Sequence, residues 1–251
     1  MKAYCGTTIL ALVTREGIVV GADGLSQGFD GQAISFTKLQ AIGNETIVAC
    51  EGLGLLQNIN TGEITYRVDD WVKKYLSAEM DAFAITDFIK KNHPFRQLIL
   101  TDTGINLRER QVSRSHLAEF LIASVRGNRV TLLRQRIEMK VKEWKLAFLP
   151  TVEFDGIPPA DRFKHYTSGR ATQINNAFSR DGDAYHDMVV RTAGAFKRLI
   201  DGAEVSLDER RAIVRCAILL EAKANPEVVG APFLIASLEP GKFVTMTSYT
   251  Q

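Results

Sequence analysis

Apolar and β-branched residues run almost unbroken through Ile9 to Val13 and Ile18 to Ala22, separated by the polar link Thr14-Arg15-Glu16-Gly17. Runs of this length around a glycine-containing turn predict a β-hairpin. The stretch after Asp23 carries Gly24, Gly28 and Gly31 and reads as a loop. Lys38-Leu39, the polar turn Gly43-Asn44 and the apolar run Thr46 to Cys50 predict a second strand pair, broken by Glu51-Gly52-Leu53-Gly54. Ile64, Val68, Trp71, Val72 and Tyr75 then recur at helical spacing, and Ile85, Phe88 and Ile89 predict a second helix that stops before Pro94.

The pattern next returns to strands at Gln97 to Thr101, Glu119 to Val125, Val130 to Arg134 and Lys140 to Phe148, with Gly127-Asn128 as a hairpin turn. Beyond Pro158-Pro159, Tyr166-Thr167-Ser168-Gly169 leads into a helix that continues through Ala177-Phe178. A longer helix is predicted with Met188, Thr192, Phe196 and Leu199 on one face, ending near Asp201-Gly202. Ser206 and Glu209 form a capping box, with Val205 as the preceding staple residue, for a helix bearing Ile213, Ala217 and Leu220. Phe233 to Leu238 and Phe243 to Thr247 close the chain as a hairpin around Pro240-Gly241. Strands and helices in blocks, rather than in βαβ alternation, predict an α+β domain with antiparallel sheets. There is no internal repeat or linker, so one domain is expected.

Composition narrows the function classes. The 251 residues are 45% hydrophobic and 24% charged, close to ordinary globular proportions. Lys and Arg number 31 against 29 for Asp and Glu, and the basic residues are scattered, so no nucleic-acid footprint is expected. The longest apolar runs fall far short of the ~20 residues that span a bilayer, and the opening residues lack the apolar stretch of a secretory signal. A cytoplasmic protein without a membrane partner is expected. Cys5, Cys50 and Cys216 match neither a disulfide framework nor a zinc motif, and Cys50 and Cys216 read as buried small hydrophobes.

Neither a GxGxxG nor a GxxxxGK[ST] motif is present, and no HExxH. His93, His116, His165 and His186 are too dispersed for a metal centre and read as structural or surface residues. No cofactor and no metal are therefore expected. What remains is Gly6-Thr7-Thr8 ahead of the first hairpin, Gly21-Ala22-Asp23-Gly24 at its end, and Lys38-Leu39.

These segments resemble the proteasome β-subunit family, the N-terminal-nucleophile threonine peptidases that include the bacterial ATP-dependent peptidase ring. In that family a Gly-Thr junction is cut so that Thr becomes the first residue, and a hairpin leads to an acidic residue and then a Lys-Val/Leu pair. Thr7 and Asp23 stand sixteen positions apart, as in the family, and Thr7 and Lys38 thirty-one, one fewer than usual. The resemblance extends through Asn44 to Cys50, Tyr166 to Gly169 and Val228 to Ala236. Two departures stand out. The oxyanion glycine aligns with Cys50, or with Gly52 if the gap is moved, and the family's Asp-x-x-Ser is replaced by Ala224-Asn225-Pro226-Glu227.

The resemblance implies a four-layer αββα sandwich, residues 1–6 as a short propeptide and 7–251 as a single N-terminal-nucleophile hydrolase domain. It implies autocleavage at Gly6, Thr7 as nucleophile, Lys38 as electrostatic activator, Asp23 as its partner, and Ser168 as orienter of the amine or a proton relay. A backbone N–H between Cys50 and Gly52 would bind the oxyanion. The residue types suit that chemistry. An α-amine with an ordinary pKa of ~7.7–8.0 can take the hydroxyl proton of its own threonine at neutral pH, and a nearby lysine favours the developing alkoxide. Glycine tolerates the strained turn that scission requires. The expected activity is threonine-type endopeptidase action on peptides or unfolded protein within a homo-oligomeric ring or related assembly, with a possible ATPase or cap partner. An amidase or acylase on a small amide and a non-catalytic assembly subunit are the alternatives.

Overall fold

The structure is a computed structural model and describes residues 2–5, 7–28, 33–35, 37–57, 61–93, 115–140, 143, 145–159 and 162–250. In chain order the strands before the first helix are β1 (Lys2–Cys5), β2 (Thr8–Thr14), β3 (Gly17–Asp23), β4 (Leu25–Gly28), β5 (Ala33–Ser35), β6 (Leu39–Ile42), β7 (Thr46–Gly52), β8 (Leu55–Gln57) and β9 (Ile64–Arg67). Helices α1 (Val68–Tyr75) and α2 (Ala82–Asn92) precede β10 (Ser115–Arg126), β11 (Arg129–Lys140), β12 (Lys145–Gly156) and β13 (Lys164–Gly169). Helices α3 (Thr172–Phe178), α4 (Gly182–Arg191), α5 (Ala195–Ile200) and α6 (Leu207–Ala224) lead to β14 (Phe233–Leu238) and β15 (Thr245–Tyr249).

Two five-stranded antiparallel sheets, β13-β2-β3-β14-β15 and β12-β11-β10-β7-β6, pack face to face. Every residue of β2 and β3 is buried, because each strand is covered on both faces. Ile9, Ala11 and Val13 meet the second sheet, while Leu10 and Leu12 meet the layer of α3 to α6. On the second sheet, Ile47, Ala49, Leu121 and Ala123 face inward, and Val48, Cys50, Phe120 and Ile122 face α1 and α2. The result is the α+β, four-layer αββα arrangement expected from the sequence.

Several elements differ from the sequence reading. A third antiparallel sheet, ordered β5-β4-β1-β8-β9, occupies stretches read as loop or, at Ile64, as helix. Its strands are three or four residues long, too short to show a period. The expected long helix through Met188 and Phe196 is two helices, because Ala193 and Gly194 adopt positive φ. Thr192 Oγ1 stabilises the break, donating to the Met188 carbonyl and accepting from Phe196 N–H. β11 runs on to Lys140 and β12 to Gly156, so their turn lies later than expected. The strand expected at 97–101 lies outside the described residues. Cys216 is only half-buried, unlike Cys50.

His93 is a core residue, 2% exposed, beside the Tyr66 hydroxyl at 3.2 Å and among the rings of Trp71 and Phe120. Burial holds its pKa well below the ordinary 6.5. A folded-state pKa below the unfolded value means that stability is present above about pH 6.5 and is lost as pH falls toward the folded pKa. Urea midpoints measured from pH 7 to pH 5 should fall for the wild type and fall less steeply for His93→Phe.

Candidate active site

Three segments bring Thr7, Asp23 and Lys38 to one corner between the main sheets. Thr7 precedes β2 and is 1% exposed; its carbonyl accepts from Arg170 N–H at 2.9 Å. The next residue fixes the corner to β3, because Thr8 N–H donates to Asp23 Oδ1 at 2.8 Å. β13 pairs with β2 so that Ser168 lies opposite Ile9 and Gly169 opposite Thr8. Gly169 has φ +75°, and a Cβ there would stand 2.0 Å from the Thr7 carbonyl oxygen, so a side chain would displace Thr7. Behind this turn Glu221 of α6, fully buried, accepts from the Gln173 and Ile174 N–H groups and anchors the start of α3.

Asp23, at the end of β3, is 0% exposed and accepts three backbone N–H bonds: from Thr8, from Leu25 at 3.1 Å and from Gly230 at 3.1 Å. Lys38, just before β6, is 2% exposed; its Nζ lies 3.5 Å from Asp23 Oδ1 and donates to the Leu25 carbonyl. Burial is the largest influence on both groups. It pushes the Asp23 carboxyl up and the Lys38 ammonium down from their ordinary values, against their mutual attraction and the N–H bonds to Asp23. A lysine held this way is a poor structural choice, since desolvating an ion pair offsets much of its attraction.

Of the two residues considered for the oxyanion, Cys50 gives its N–H to the Lys38 carbonyl at 2.9 Å and turns its side chain into the α1–α2 core. Strand alternation directs the Gly52 N–H to the same side, beyond that carbonyl. Gly52 has φ +82°, and a Cβ there would meet the Leu117 carbonyl oxygen at 2.4 Å. Gly6 lies outside the described residues. Asn225, in the segment that departs from the family pattern, is bonded to Glu221 and takes its place in the α6 cap.

The inter-sheet layer changes character beside Thr7. Along β7 the inward series Ile47, Ala49 becomes Glu51; along β10, Ala123 and Leu121 give way to Glu119; along β11, Val130 and Leu132 give way to Arg134 and Arg136. These charged residues, with His116, Glu138 and Ser168, line a cavity of about 490 Å³. None of the cavity's charged residues was singled out from the sequence for the site, because Glu51, Glu119 and Arg136 become neighbours only through strand register. The N–H groups of Thr8, Leu25 and Gly230 were likewise not singled out. Val228 to Ala236 had shown as a resembling segment, and the contact of Gly230 with Asp23 gives it a physical role.

The three N–H bonds to Asp23 make one substitution informative. Asn in its place would turn an N–H₂ group toward at least one of those donors, so Asp23→Asn should lose about 2–4 kcal/mol of stability as well as slow any reaction that depends on Lys38. Urea denaturation checks the first effect, and an unaffected reaction rate would remove Asp23 from the site.

Comparison with solved structures gives the arrangement a context. The chain aligns over 97% of its length with 86% of the chain in a helical assembly of the Anbu complex from Pseudomonas aeruginosa, at 14% identity and a TM-score of 0.53. Anbu, an ancestral beta-subunit, from Yersinia bercovieri aligns with 97% of this chain and 88% of its own at 11% identity and a TM-score of 0.50. At this identity the likeness is one of fold, two antiparallel sheets packed with helices. These neighbours correct the resemblance drawn from the sequence motifs, because Anbu proteins are proteasome-like but distinct from the proteasome β-subunits. No protein-family model matches the chain, and no curated protein does. No helix among the described residues is long and apolar enough to cross a membrane.

Proposed function

We propose that this chain is a threonine-type N-terminal-nucleophile hydrolase acting on peptide bonds, and a subunit of a homo-oligomeric, proteasome-like assembly. The observation that carries this reading is the buried Lys38–Asp23 pair set against the first residues of β2, where an apolar pair would serve the fold at lower cost. Scission at Gly6 frees the Thr7 amine, which takes the proton of the Thr7 hydroxyl as Oγ attacks the substrate carbonyl. Lys38, held in its ion pair with Asp23, favours the alkoxide. Asp23 holds Lys38, Ser168 orients the amine, and the Gly52 N–H receives the oxyanion. The leaving amine departs with a proton, and water then releases the acyl group from Thr7.

A peptide is favoured over a small amide by the path of residues 2–5. Lys2–Cys5 forms an extended strand paired on one side with β4 and on the other with β8, immediately ahead of Thr7. An extended substrate has the same backbone groups to offer and would be gripped in the same way. Self-association is supported by the assembly that the Pseudomonas Anbu complex forms on a similar fold. Incubation with unstructured polypeptides, read by mass spectrometry of the products, should give internal cleavages; hydrolysis confined to small amides would replace the peptidase reading with the amidase one.

A further inference from the structure

Glu51 and Glu119 are direct cross-strand partners on β7 and β10, and Glu119 is the partner of Arg136 on β11. Both carboxylates are nearly buried, at 8% and 3% exposure. Like charges placed opposite each other weaken a sheet, so the row calls for an explanation other than stability. Glu119 is compensated by Arg136, whose Nε donates to Oε2 at 3.2 Å, and more distantly by Arg134. Glu51 meets His116 Nε2 through its Oε1. Its other oxygen faces the turn that carries Thr7: Oε2 lies 3.6 Å from the position of a Cβ on Gly169, and that position is 2.0 Å from the Thr7 carbonyl oxygen. Glycine at 169 leaves this path open. The charge of Glu51 also reaches Lys38, whose ammonium it helps to hold.

We propose that Glu51 is a positioning residue that receives the α-ammonium of Thr7 once the chain is cut, and that His116 shares and so moderates its charge. This rests on the reading of Thr7 as a freed N-terminal nucleophile. The Thr7 amine must lose its proton to work as a base, and a carboxylate beside it holds that proton while the Lys38 ammonium opposes it. His116, whose own pKa is raised chiefly by its bond to Glu51 and less by Glu119, while burial and Arg136 lower it, limits how strongly Glu51 does so. The charged groups facing Glu51 are Lys38 ahead of β6, His116 and Glu119 on β10, and Arg134, Arg136 and Glu138 on β11. The balance among them sets the pH at which the amine becomes a base.

The test is the pKa of the Thr7 amine in the purified, processed protein, read from the pH dependence of its acylation by acetic anhydride, with acetylation of the Thr7-bearing N-terminal peptide quantified by mass spectrometry after digestion. Glu51→Gln should lower that pKa, and His116→Gln should raise it, each by on the order of one unit. Opposite shifts are not what loss of packing at the two positions would produce. A freed Thr7 whose amine titrates alike in wild type and both variants would overturn this proposal and leave the hydrolase reading standing. A chain that stays uncut would overturn both.

Discussion

Thr7→Ala should fold, keep Met1 to Gly6 attached and hydrolyse no peptide. The side chain removed is small and lies at the start of β2, whose pairing with β3 and β13 uses backbone groups that alanine also has. The Arg170-to-Thr7 bond is likewise backbone to backbone. Thermal stability should therefore stay within about 1 kcal/mol of wild type. The chemical loss should be far larger, at least about 10³-fold in kcat, as when a nucleophile is removed from a site whose other groups remain. Peptide hydrolysis and intact mass are the two readouts. A Thr7→Ala protein that hydrolyses at the wild-type rate would show that another group is the nucleophile.

Lys38→Met should separate chemistry from stability even more clearly. Methionine keeps the length of the stem and removes the charge that burial disfavours. Asp23 loses an ion-pair partner but keeps its three backbone donors, and burial pushes its carboxyl toward the protonated form. The expected stability change is therefore below the about 3–5 kcal/mol typical of a broken buried pair. Turnover and autocleavage should both fall by about 10²-fold or more, because the alkoxide at Thr7 loses its electrostatic support. Unfolding in urea and the rate of Thr7 exposure measure the two effects on the same sample. If stability collapses while the residual folded protein turns over normally, Lys38 is a structural residue.

How much of this could be read from the chain depends on how far apart the partners lie. The β2–β3 hairpin was legible because both strands are covered on two faces, which makes their apolar runs continuous. Thr7, Asp23 and Lys38 were legible as a set through the spacing they share with the resembling family, and the structure places Lys38 Nζ 3.5 Å from Asp23. The capping box at Ser206 was legible because it is a local exchange of hydrogen bonds, and both of its bonds are present. The third sheet was not, since strands such as Ala33–Ser35 are held by pairing with distant backbone and carry little pattern of their own. The charged end of the inter-sheet layer was hidden for a related reason. Glu51 and Glu119 lie far apart along the chain, and the register of β7 on β10 places them side by side. The break at Ala193-Gly194 escaped because the apolar spacing of Met188, Phe196 and Leu199 continues across it.

The motifs also pointed to a neighbouring family. Glycine, threonine, aspartate and lysine at this spacing would serve the chemistry of an N-terminal nucleophile, and chemistry of that kind does not distinguish one family of the fold from another. The solved structures draw that distinction and place the likeness with Anbu proteins.

The central claim is that Thr7 becomes the first residue of the working protein. Its most direct test is the intact mass of the purified full-length chain before and after prolonged incubation under native conditions, with Thr7→Ala alongside. The expected result is a wild-type mass reduced by that of Met1 to Gly6 and an unchanged mass for the variant. A wild-type chain that keeps its full mass of 27.9 kDa while hydrolysing peptides would contradict the claim.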